Sequence, residues 1–475
     1  MDRFLIISTD SHAAAPGEVY LQYMDKPFRE RAYGALIEDE RWWQATMPAL
    51  AMLHPKAVEE IDDQGRIRAG MTCGAWNMSA RIAEMDREGV AGEILFPGAH
   101  SGTNPFVDVG SSQWPAEYRD EGARAYNRWL ADHISDGGEG RVFGVVYPGS
   151  SHDLKRSIAE MQWGAERGFV GVSCPGYVHD PELPPLFDRY WDPFWSAASE
   201  LELTIPIHLG YGAPQGEILK LADRVMAFRK AREENGEEPI LNRKALVAAT
   251  LGLGGMDVFG ANTWTNCARA LWNMMLGGVF DRFPSLRVVP TEFHVDWAPG
   301  LLKHLDARFD AGELPMARRP SEYWRRNCFA GATNMRPAEV AVRHELGVDR
   351  MLFGRDFPHP ESTWPNTLDW LRVVLKDVPQ HEARMILGEN ALRCYPRLAA
   401  QHLTSVAERI GPKREDLIGD FTISETYIRN FHDRGEFSAP IEVVDLASID
   451  RSIEPDVRGA ANSVQAMRAD FTVSR

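Results

Sequence analysis

Residues 168–210 read GFVGVSCPGYVHDPELPPLFDRYWDPFWSAASELELTIPIHLG, and they contain the unit on which the fold prediction rests. GFVGVSCPG (168–176) and LTIPIHLG (203–210) are short, continuous apolar runs that close on glycine. Strands buried on both faces of a parallel sheet show such runs, whereas strands with one solvated face alternate. A helical pattern, YWDPFWSAASELE, lies between the two runs. The stretch therefore predicts a strand–helix–strand unit.

The same unit recurs along most of the chain. Six further apolar runs, separated by helical patterns, are FLIISTDSH (4–12), GEILFPG (92–98), RVFGVVYPG (141–149), LRVVPTE (286–292), NCFAGAT (327–333) and RMLFGRDFP (350–358). Eight strands that alternate with helices predict an α/β fold, a (β/α)8 TIM barrel. A doubly wound open sheet is the alternative, although no strand-linked GxGxxG or GxxxxGK[ST] favours nucleotide binding.

Three segments are not accounted for by the strand–helix repeat. Residues 20–80 form a long insertion after strand one, and residues 211–262 form another after strand five. Long loops at the carboxyl ends of strands build an active-site mouth or cover a partner. We therefore predict a barrel domain over 1–399. Residues 400–475 are predicted to be a C-terminal extension that packs on the barrel or on a neighbouring subunit.

Composition narrows the class of protein. The chain has 475 residues, 44% of them hydrophobic, which excludes disorder of the whole chain. The net charge of −16 argues against nucleic-acid binding, and no apolar stretch approaches the ~20 residues of a membrane span. The cysteines are scattered, without a CxxC pair, and they are Cys73, Cys174, Cys267, Cys328 and Cys394. This usage indicates reduced thiols and a cytoplasmic protein.

The strand ends carry the candidate chemistry, because reactive residues of such barrels lie there. Asp10 and His12 lie two apart on strand one and share a face. His208 ends strand five, Glu292 ends strand six and Asp356 ends strand eight. Imidazoles and carboxylates that converge form a site suited to Zn²⁺, Mn²⁺ or Fe²⁺. Each residue also has a structural alternative, such as an Asx-turn for Asp10 or an arginine pair for Glu292.

Several motifs together resemble those of the metal-dependent amidohydrolase-related family that includes aminocarboxymuconate-semialdehyde decarboxylase. The resemblance covers about residues 3–398. TDSHAAAP is similar to the family's opening strand, and YWDPFWSAASELELTIPIHLG to its strand-five block. GVFDRFPSLRVVPTEFHVDWAPGLL, MLFGRDFPHPESTWPN and GENALRCY are similar to its strand-six block, its strand-eight motif and its closing helix.

This resemblance implies metal ligation by Asp10, His12, His208 and Asp356. It implies a proton-shuttling role for Asp356, and it makes Glu292 an acid/base beside the metal or an additional ligand. Four further histidines near the mouth are candidate substrate contacts, with a structural role equally open for each. They are His100, His179, His294 and His359.

The departures from the family pattern favour a single metal ion. Ala15 precedes Pro16 where many relatives have glutamate, which removes a possible ligand for a second metal. Strand four ends in Ser173 and Cys174, without the lysine that dinuclear relatives place there. Arg355 replaces a small residue before the ligand aspartate and is expected to face away from Asp356. Zinc is the first expectation for the metal, with manganese or iron as alternatives.

The leading functional hypothesis is a mononuclear metal-dependent hydrolase or non-oxidative decarboxylase for a small carboxylated or amide-like substrate. The alternative is a subunit of a dinuclear iron or mixed-metal hydroxylase that resembles the 2-aminoisobutyric acid hydroxylase system, in a catalytic or a supporting role. The expected partners are a small-molecule substrate and either a second copy of the chain or a related subunit. Neither a nucleic acid nor a membrane is expected as a partner.

Overall fold

The computed structural model describes residues 2–50, 55–98, 105–106, 114–176, 182–209, 215–240, 246, 249, 268–292, 294–359, 362–435, 450–451 and 453–462. All eight predicted strands are present. They are β1 (Ile6–Ala13), β2 (Val90–Pro97), β3 (Val142–Val146), β4 (Gly171–Val172), β5 (Ile205–His208), β6 (Val288–Thr291), β7 (Ala330–Thr333) and β8 (Met351–Gly354).

The strands form two parallel four-stranded sheets, ordered β1-β2-β3-β4 and β5-β6-β7-β8. Backbone hydrogen bonds join the halves at both seams. The amide of Val172 donates to the carbonyl of Thr204 at 2.9 Å, which connects β4 to the start of β5. At the other seam, the amide of Asp356 donates to the carbonyl of Asp10 at 2.9 Å. The sheet is therefore a closed (β/α)8 barrel, and the open-sheet alternative is wrong.

Helices cover the barrel between the strands. The α-helices within described residues 2–435 include Gly17–Tyr20, Lys26–Leu50, Pro55–Ile61, Met78–Arg87, Ala116–Ser135, Leu154–Glu166, Asp192–Glu200, Gln215–Glu234, 268–276, Val279–Arg282, Ala298–Asp310, Pro320–Asn327, Pro337–Ala341, Arg343–Leu346, Thr367–Val374, Gln380–Arg384, Asn390–Cys394, Ala400–Ile410, Arg414–Leu417 and Glu425–Gly435. Polar caps fix several starts. Asn77 accepts from the amide of Ala80, and Asp153 accepts from the amide of Lys155.

Neighbouring residues of one strand belong to two different apolar clusters. Ile7, Ile94, Val145, Val289 and Leu352 come from five strands and share one cluster. The residues beside them share a larger cluster with the helices, and they are Ile6, Leu95, Val146, Val288 and Phe353. Side chains of a strand alternate between faces, so the first set lies inside the barrel and the second lies beneath the helices. Burial of both faces explains the continuous apolar runs.

Described residues of the C-terminal segment contact other parts of the chain. The amide of Phe4 donates to the carbonyl of Pro412 at 2.8 Å, beside the amino end of β1. Residues 450–451 and 453–462 are helical, although this stretch alternates only weakly in sequence. Ile453, Val457 and Ala460 recur at the spacing of one helical face, and all three are buried. Within the described residues, no helix is long and apolar enough to cross a membrane.

Candidate active site

The predicted residues of four strand ends meet at the carboxyl end of the barrel. Two overlapping sets of side chains have donor atoms within 4.8 Å of one another and could hold a metal ion. The first set is Asp10, His12, His208 and Glu292, and the second is His12, Asp356 and His359. His12 belongs to both sets, so the six side chains surround one centre.

His12 is almost fully buried on β1, and its two ring nitrogens face different groups. Its Nδ1 lies 2.8 Å from the carbonyl oxygen of Pro97 and must donate a proton to it. Burial, and then the neighbouring His359, lower the pKa of His12 to about 4. The neutral ring therefore directs the lone pair of Nε2 towards Asp356 Oδ1 at 3.2 Å and Asp10 Oδ1 at 3.6 Å.

His208, at the end of β5, has the same orientation. Its Nδ1 lies 3.0 Å from the carbonyl oxygen of Leu209, while Nε2 lies 3.1 Å from Glu292 Oε2 and 3.3 Å from Asp10 Oδ1. Burial lowers the pKa of His208, but Asp10, the Leu209 carbonyl and Asp356 together raise it by more, and the net shift is upward. A nitrogen between two carboxylates needs a positive charge, either a proton or a cation.

The two aspartates are held from the end of β7. Asp10 Oδ2 accepts a hydrogen bond from Thr333 Oγ1 at 2.6 Å, and Asp356 Oδ2 accepts one from Asn334 Nδ2 at 3.2 Å. Asp10 and Asp356 are fully buried. Burial raises the pKa of Asp10, but the facing His208 and His12 outweigh burial and lower the pKa below its usual value. Both carboxylates are therefore fixed in position, and the lowered pKa keeps Asp10 negatively charged.

Backbone conformation is unusual at three of these strand ends. Glu292, Asn334 and Asp356 have φ values of 70°, 51° and 61°, in a region that residues other than glycine rarely adopt. Each follows directly after β6 or β7, or two residues after β8. Such strain costs of order 1–3 kcal/mol per residue and clusters at functional sites. Here it turns three polar side chains towards the mouth.

The donor set fits a divalent metal ion. The donors are imidazole nitrogens and carboxylate oxygens, which suit zinc, manganese or iron. Metal-binding histidines usually donate their other ring nitrogen to a carbonyl or carboxylate, as His12 and His208 do here. His12 Nε2 is buried opposite one oxygen of each aspartate, which is an arrangement that a bound cation would stabilise.

Arg355 belongs to a separate buried network behind the site. Its Nη1 donates to Glu88 Oε2 at 2.6 Å, and its Nε donates to Glu93. Arg81 donates to the other oxygen of Glu93 at 2.7 Å and also to the carbonyl of His12. Burial raises the pKa of Glu93, but both guanidinium groups lower it by more. The network connects β1, β2 and β8 through charges in the layer between strands and helices.

The four histidines predicted as substrate contacts have different outcomes. His359 Nδ1 lies 3.1 Å from Asp356 Oδ1, within the second donor set. His294 is buried near Glu339, with 3.6 Å between Nδ1 and Oε2, and it belongs to neither donor set. His100 and His179 lie outside the described residues. Substrate binding by any of the four stays a prediction.

Sequence reasoning missed Thr333 and Asn334. The run NCFAGAT ends at Thr333, and the chain continues with Asn334. A search of strand ends for charged residues and histidines passes over a hydroxyl and an amide. The available signal was position, because β7 was the one predicted strand between β5 and β8 without an assigned polar end.

The fold and the site together define a (β/α)8 barrel with a nitrogen- and oxygen-donor metal-type site at its carboxyl mouth. A protein-family model described as amidohydrolase matches residues 53–397, which is more than half of the chain. This chain therefore belongs to the amidohydrolase family, as the sequence motifs predicted, and it is an enzyme of that superfamily.

Solved structures show the same fold. An amidohydrolase from Mycobacterium avium subsp. paratuberculosis K-10 has 19% identity and a TM-score of 0.56, over 82% of this chain and 99% of that chain. A dihydroxybenzoic acid decarboxylase from Polaromonas sp. JS666, with bound manganese, has 17% identity and a TM-score of 0.52, over 84% and 98%. A 5-carboxyvanillate decarboxylase from Novosphingobium aromaticivorans DSM 12444, also with manganese, has 19% identity and a TM-score of 0.51, over 83% and 97%.

Proposed function

We propose that this protein is a mononuclear metal-dependent enzyme that hydrolyses or non-oxidatively decarboxylates a small substrate with a carboxylate or amide-like group. The observation that carries the proposal is the convergence of six donor side chains on the Nε2 atoms of His12 and His208. Asp10, His12, His208 and Asp356 would hold the ion, with zinc as first choice and manganese or iron as alternatives. When bound, the metal would polarise a substrate oxygen and lower the pKa of a bound water towards ~7.

Glu292 is the proposed acid/base. Its side chain is 9% exposed and contacts His208, so it borders both the donor set and the open mouth. In decarboxylation the bond between carbon and the carboxylate breaks, and Glu292 would deliver the proton that the carbon takes up. In hydrolysis it would take a proton from water and pass it to the leaving group.

Asp356 is the second proposed proton carrier. Its Oδ1 lies 3.2 Å from His12 Nε2 and 3.1 Å from His359 Nδ1. His359 would orient this oxygen and exchange a proton with it, while Asn334 holds the other oxygen. Glu292 thus contacts His208, whereas Asp356 contacts His12.

A single metal ion is favoured because His12 belongs to both donor sets. Its Nδ1 is bonded to Pro97, so only one lone pair remains for both donor sets. The alternative is a dinuclear iron or mixed-metal hydroxylase subunit, which would need carboxylates to bridge the ions. Iron at two equivalents with oxygen uptake would support that alternative. Co-purification of a related chain would support the supporting-subunit version.

The test is elemental analysis of protein purified without added metal, for wild type, His208→Ala and Asp356→Ala. We expect about one equivalent in wild type and a large loss in both variants, because each removes a ligand. His402→Ala is the matched control, since His402 lies on the C-terminal segment and bonds to the carbonyl of Glu139, just before β3. Full metal retention in both site variants would contradict the proposal.

The reaction type needs a separate assay. The metal-loaded enzyme would be offered aromatic and aliphatic carboxylic acids and their amides, because two solved structures of this fold are decarboxylases of aromatic acids. Release of carbon dioxide without oxygen uptake identifies a carboxy-lyase, and release of an amine or ammonia identifies a hydrolase.

A further inference from the structure

Thr333 and Asn334 are adjacent in sequence, and each donates a hydrogen bond to a different buried carboxylate. Thr333 Oγ1 lies 2.6 Å from Asp10 Oδ2, and Asn334 Nδ2 lies 3.2 Å from Asp356 Oδ2. We call these two residues the β7 pair. Both bonds go to Oδ2, whereas the Oδ1 atoms of both aspartates lie opposite His12 Nε2, at 3.6 and 3.2 Å.

An ordinary strand could not place this pair. Consecutive side chains of a strand point to opposite faces, so Thr333 and Asn334 would be directed apart. The φ of 51° at Asn334 changes the direction of the backbone there. As a result, the side-chain amide of Asn334 lies on the same side as the Thr333 hydroxyl. Asparagine tolerates this left-handed region better than most residues.

The backbone around the pair is anchored on both sides. The backbone amide of Asn334 donates to the carbonyl of Gly354 on β8 at 3.0 Å. The indole of Trp370 donates to the carbonyl of Met335 at 2.7 Å, and the amide of Arg336 donates to Glu339 at 2.8 Å. The segment 333–336 is thus held by β8 and by two helices, so the β7 pair is preorganised.

Gly354 provides the space in which one of these bonds forms. A Cβ at Gly354 would lie 2.8 Å from Asp10 Cβ and 2.8 Å from Thr333 Oγ1. Real Cβ atoms do not approach so closely in packed interiors, so any larger residue would push the hydroxyl and the carboxylate apart. Glycine at this position of β8 therefore serves the contact between β1 and β7.

We propose that the β7 pair consists of positioning residues that hold Asp10 and Asp356 as one-oxygen donors to a shared metal ion. This inference rests on the proposed function, because it needs a metal ion at the site. Each Oδ2 accepts a hydrogen bond from the β7 pair, and each Oδ1 is left to bind the ion. The hydrogen bonds of the pair go to carboxylate oxygens. The pair would therefore act by orienting the carboxylates of Asp10 and Asp356.

The test measures metal affinity by chelator competition, with zinc and manganese as probes, on the full-length chain. Thr333→Val keeps the branched shape and removes the hydroxyl, whereas Thr333→Ser keeps the hydroxyl. Asn334→Asp keeps the shape and the backbone preference but replaces the donor by an acceptor. Thr204→Val is the matched control, because the Thr204 hydroxyl is also buried and bonds to the carbonyl of Cys394 at the other end of the barrel.

We expect Thr333→Val and Asn334→Asp to weaken metal binding by roughly 10–100-fold, as residues that orient metal ligands do. Thr333→Ser should recover most of the affinity, and Thr204→Val should bind metal as wild type does. Thermal unfolding of the metal-free proteins is the second readout. A merely structural role would lower the metal-free melting temperature of Thr333→Val and leave its affinity intact.

Two negative results have different meanings. If wild type binds metal and the variants of the β7 pair bind it equally well, the positioning role is overturned while the proposed function stands. If wild type binds neither metal above the level of His208→Ala, the proposed function fails and the positioning role is overturned with it.

Discussion

The imidazole of His359 lies stacked on the imidazole of His12, with ring centroids 3.8 Å apart and an interplanar angle of 15°. His12 comes from β1 and His359 from the loop after β8, so the stack lies at the seam where the barrel closes. The same His359 directs Nδ1 at Asp356. One side chain thus packs against a proposed ligand and contacts a second.

His359→Phe separates these two roles, because phenylalanine keeps an aromatic ring over His12 and lacks the nitrogen. We expect turnover to fall by about 10–100-fold, the usual effect of removing a group that orients a metal ligand. His359→Ala should lose activity at least as strongly and should also destabilise the protein. Steady-state kinetics and thermal unfolding measure the two effects. Wild-type turnover in His359→Phe would show that only the ring matters.

Glu292→Gln tests the acid/base. The substitution keeps the shape and removes proton exchange, so we expect turnover to fall by about 10²–10⁴-fold. Metal content should fall much less than in His208→Ala. Glu200→Gln is the control, since Glu200 lies on an outer helix and accepts from Ser196 at 2.7 Å. Kinetics and elemental analysis on the same preparations decide the outcome. Loss of metal in proportion to activity would instead make Glu292 a ligand.

Arg355→Met tests the buried network. Arg355 is fully buried between Glu88 and Glu93, which are also buried. Its removal leaves two carboxylates short of a counter-charge in the interior, and this costs roughly 3–5 kcal/mol. Urea denaturation measures the free energy of unfolding. Arg167→Met is the control, because Arg167 is half-exposed beside Glu166 and should change stability little. Equal effects of both substitutions would argue against the network.

Because of His133, we expect the free energy of unfolding to fall in acid. It is buried against Trp129, and burial, followed by the charge of Arg81, lowers its pKa to about 4. The unfolded chain binds a proton near pH 6.5 and the folded chain only near 4, so unfolding is favoured as pH falls between these values. The expected loss across this window is about 3 kcal/mol. His133→Phe should remove it from the pH profile of unfolding; an unchanged profile would contradict the assignment.

Gly354→Ala should damage the site through packing alone. The added methyl group would collide with Asp10 and Thr333, so we expect reduced metal binding and a loss of stability of about 1–3 kcal/mol. Gly34→Ala is the control. Among the atoms that the structure describes, none lies within 4 Å of a Cβ at Gly34, which is in the helix Lys26–Leu50. Alanine there should stabilise the helix by about 1 kcal/mol. Metal affinity and urea denaturation separate the two outcomes.

Much of the site could be predicted because strand ends are visible in the sequence. Asp10, His12, His208 and Asp356 each end an apolar run, and the barrel brings such ends to one face. Their convergence was therefore predictable once eight runs had been counted. The contacts of His359 were not, because they depend on a turn after β8 that changes direction at Asp356, where φ is 61°.

The sequence by itself determined the alternation of buried strands and helices, and with it the barrel and its polar mouth. Only the tertiary structure decided which oxygen of each aspartate faces the centre. That choice depends on Thr333 and Asn334, which are more than 300 residues from Asp10, and on a backbone reversal at Asn334. Local pattern predicts which face of a strand is buried, but the direction of one carboxylate oxygen is fixed only by the neighbours that folding places beside it.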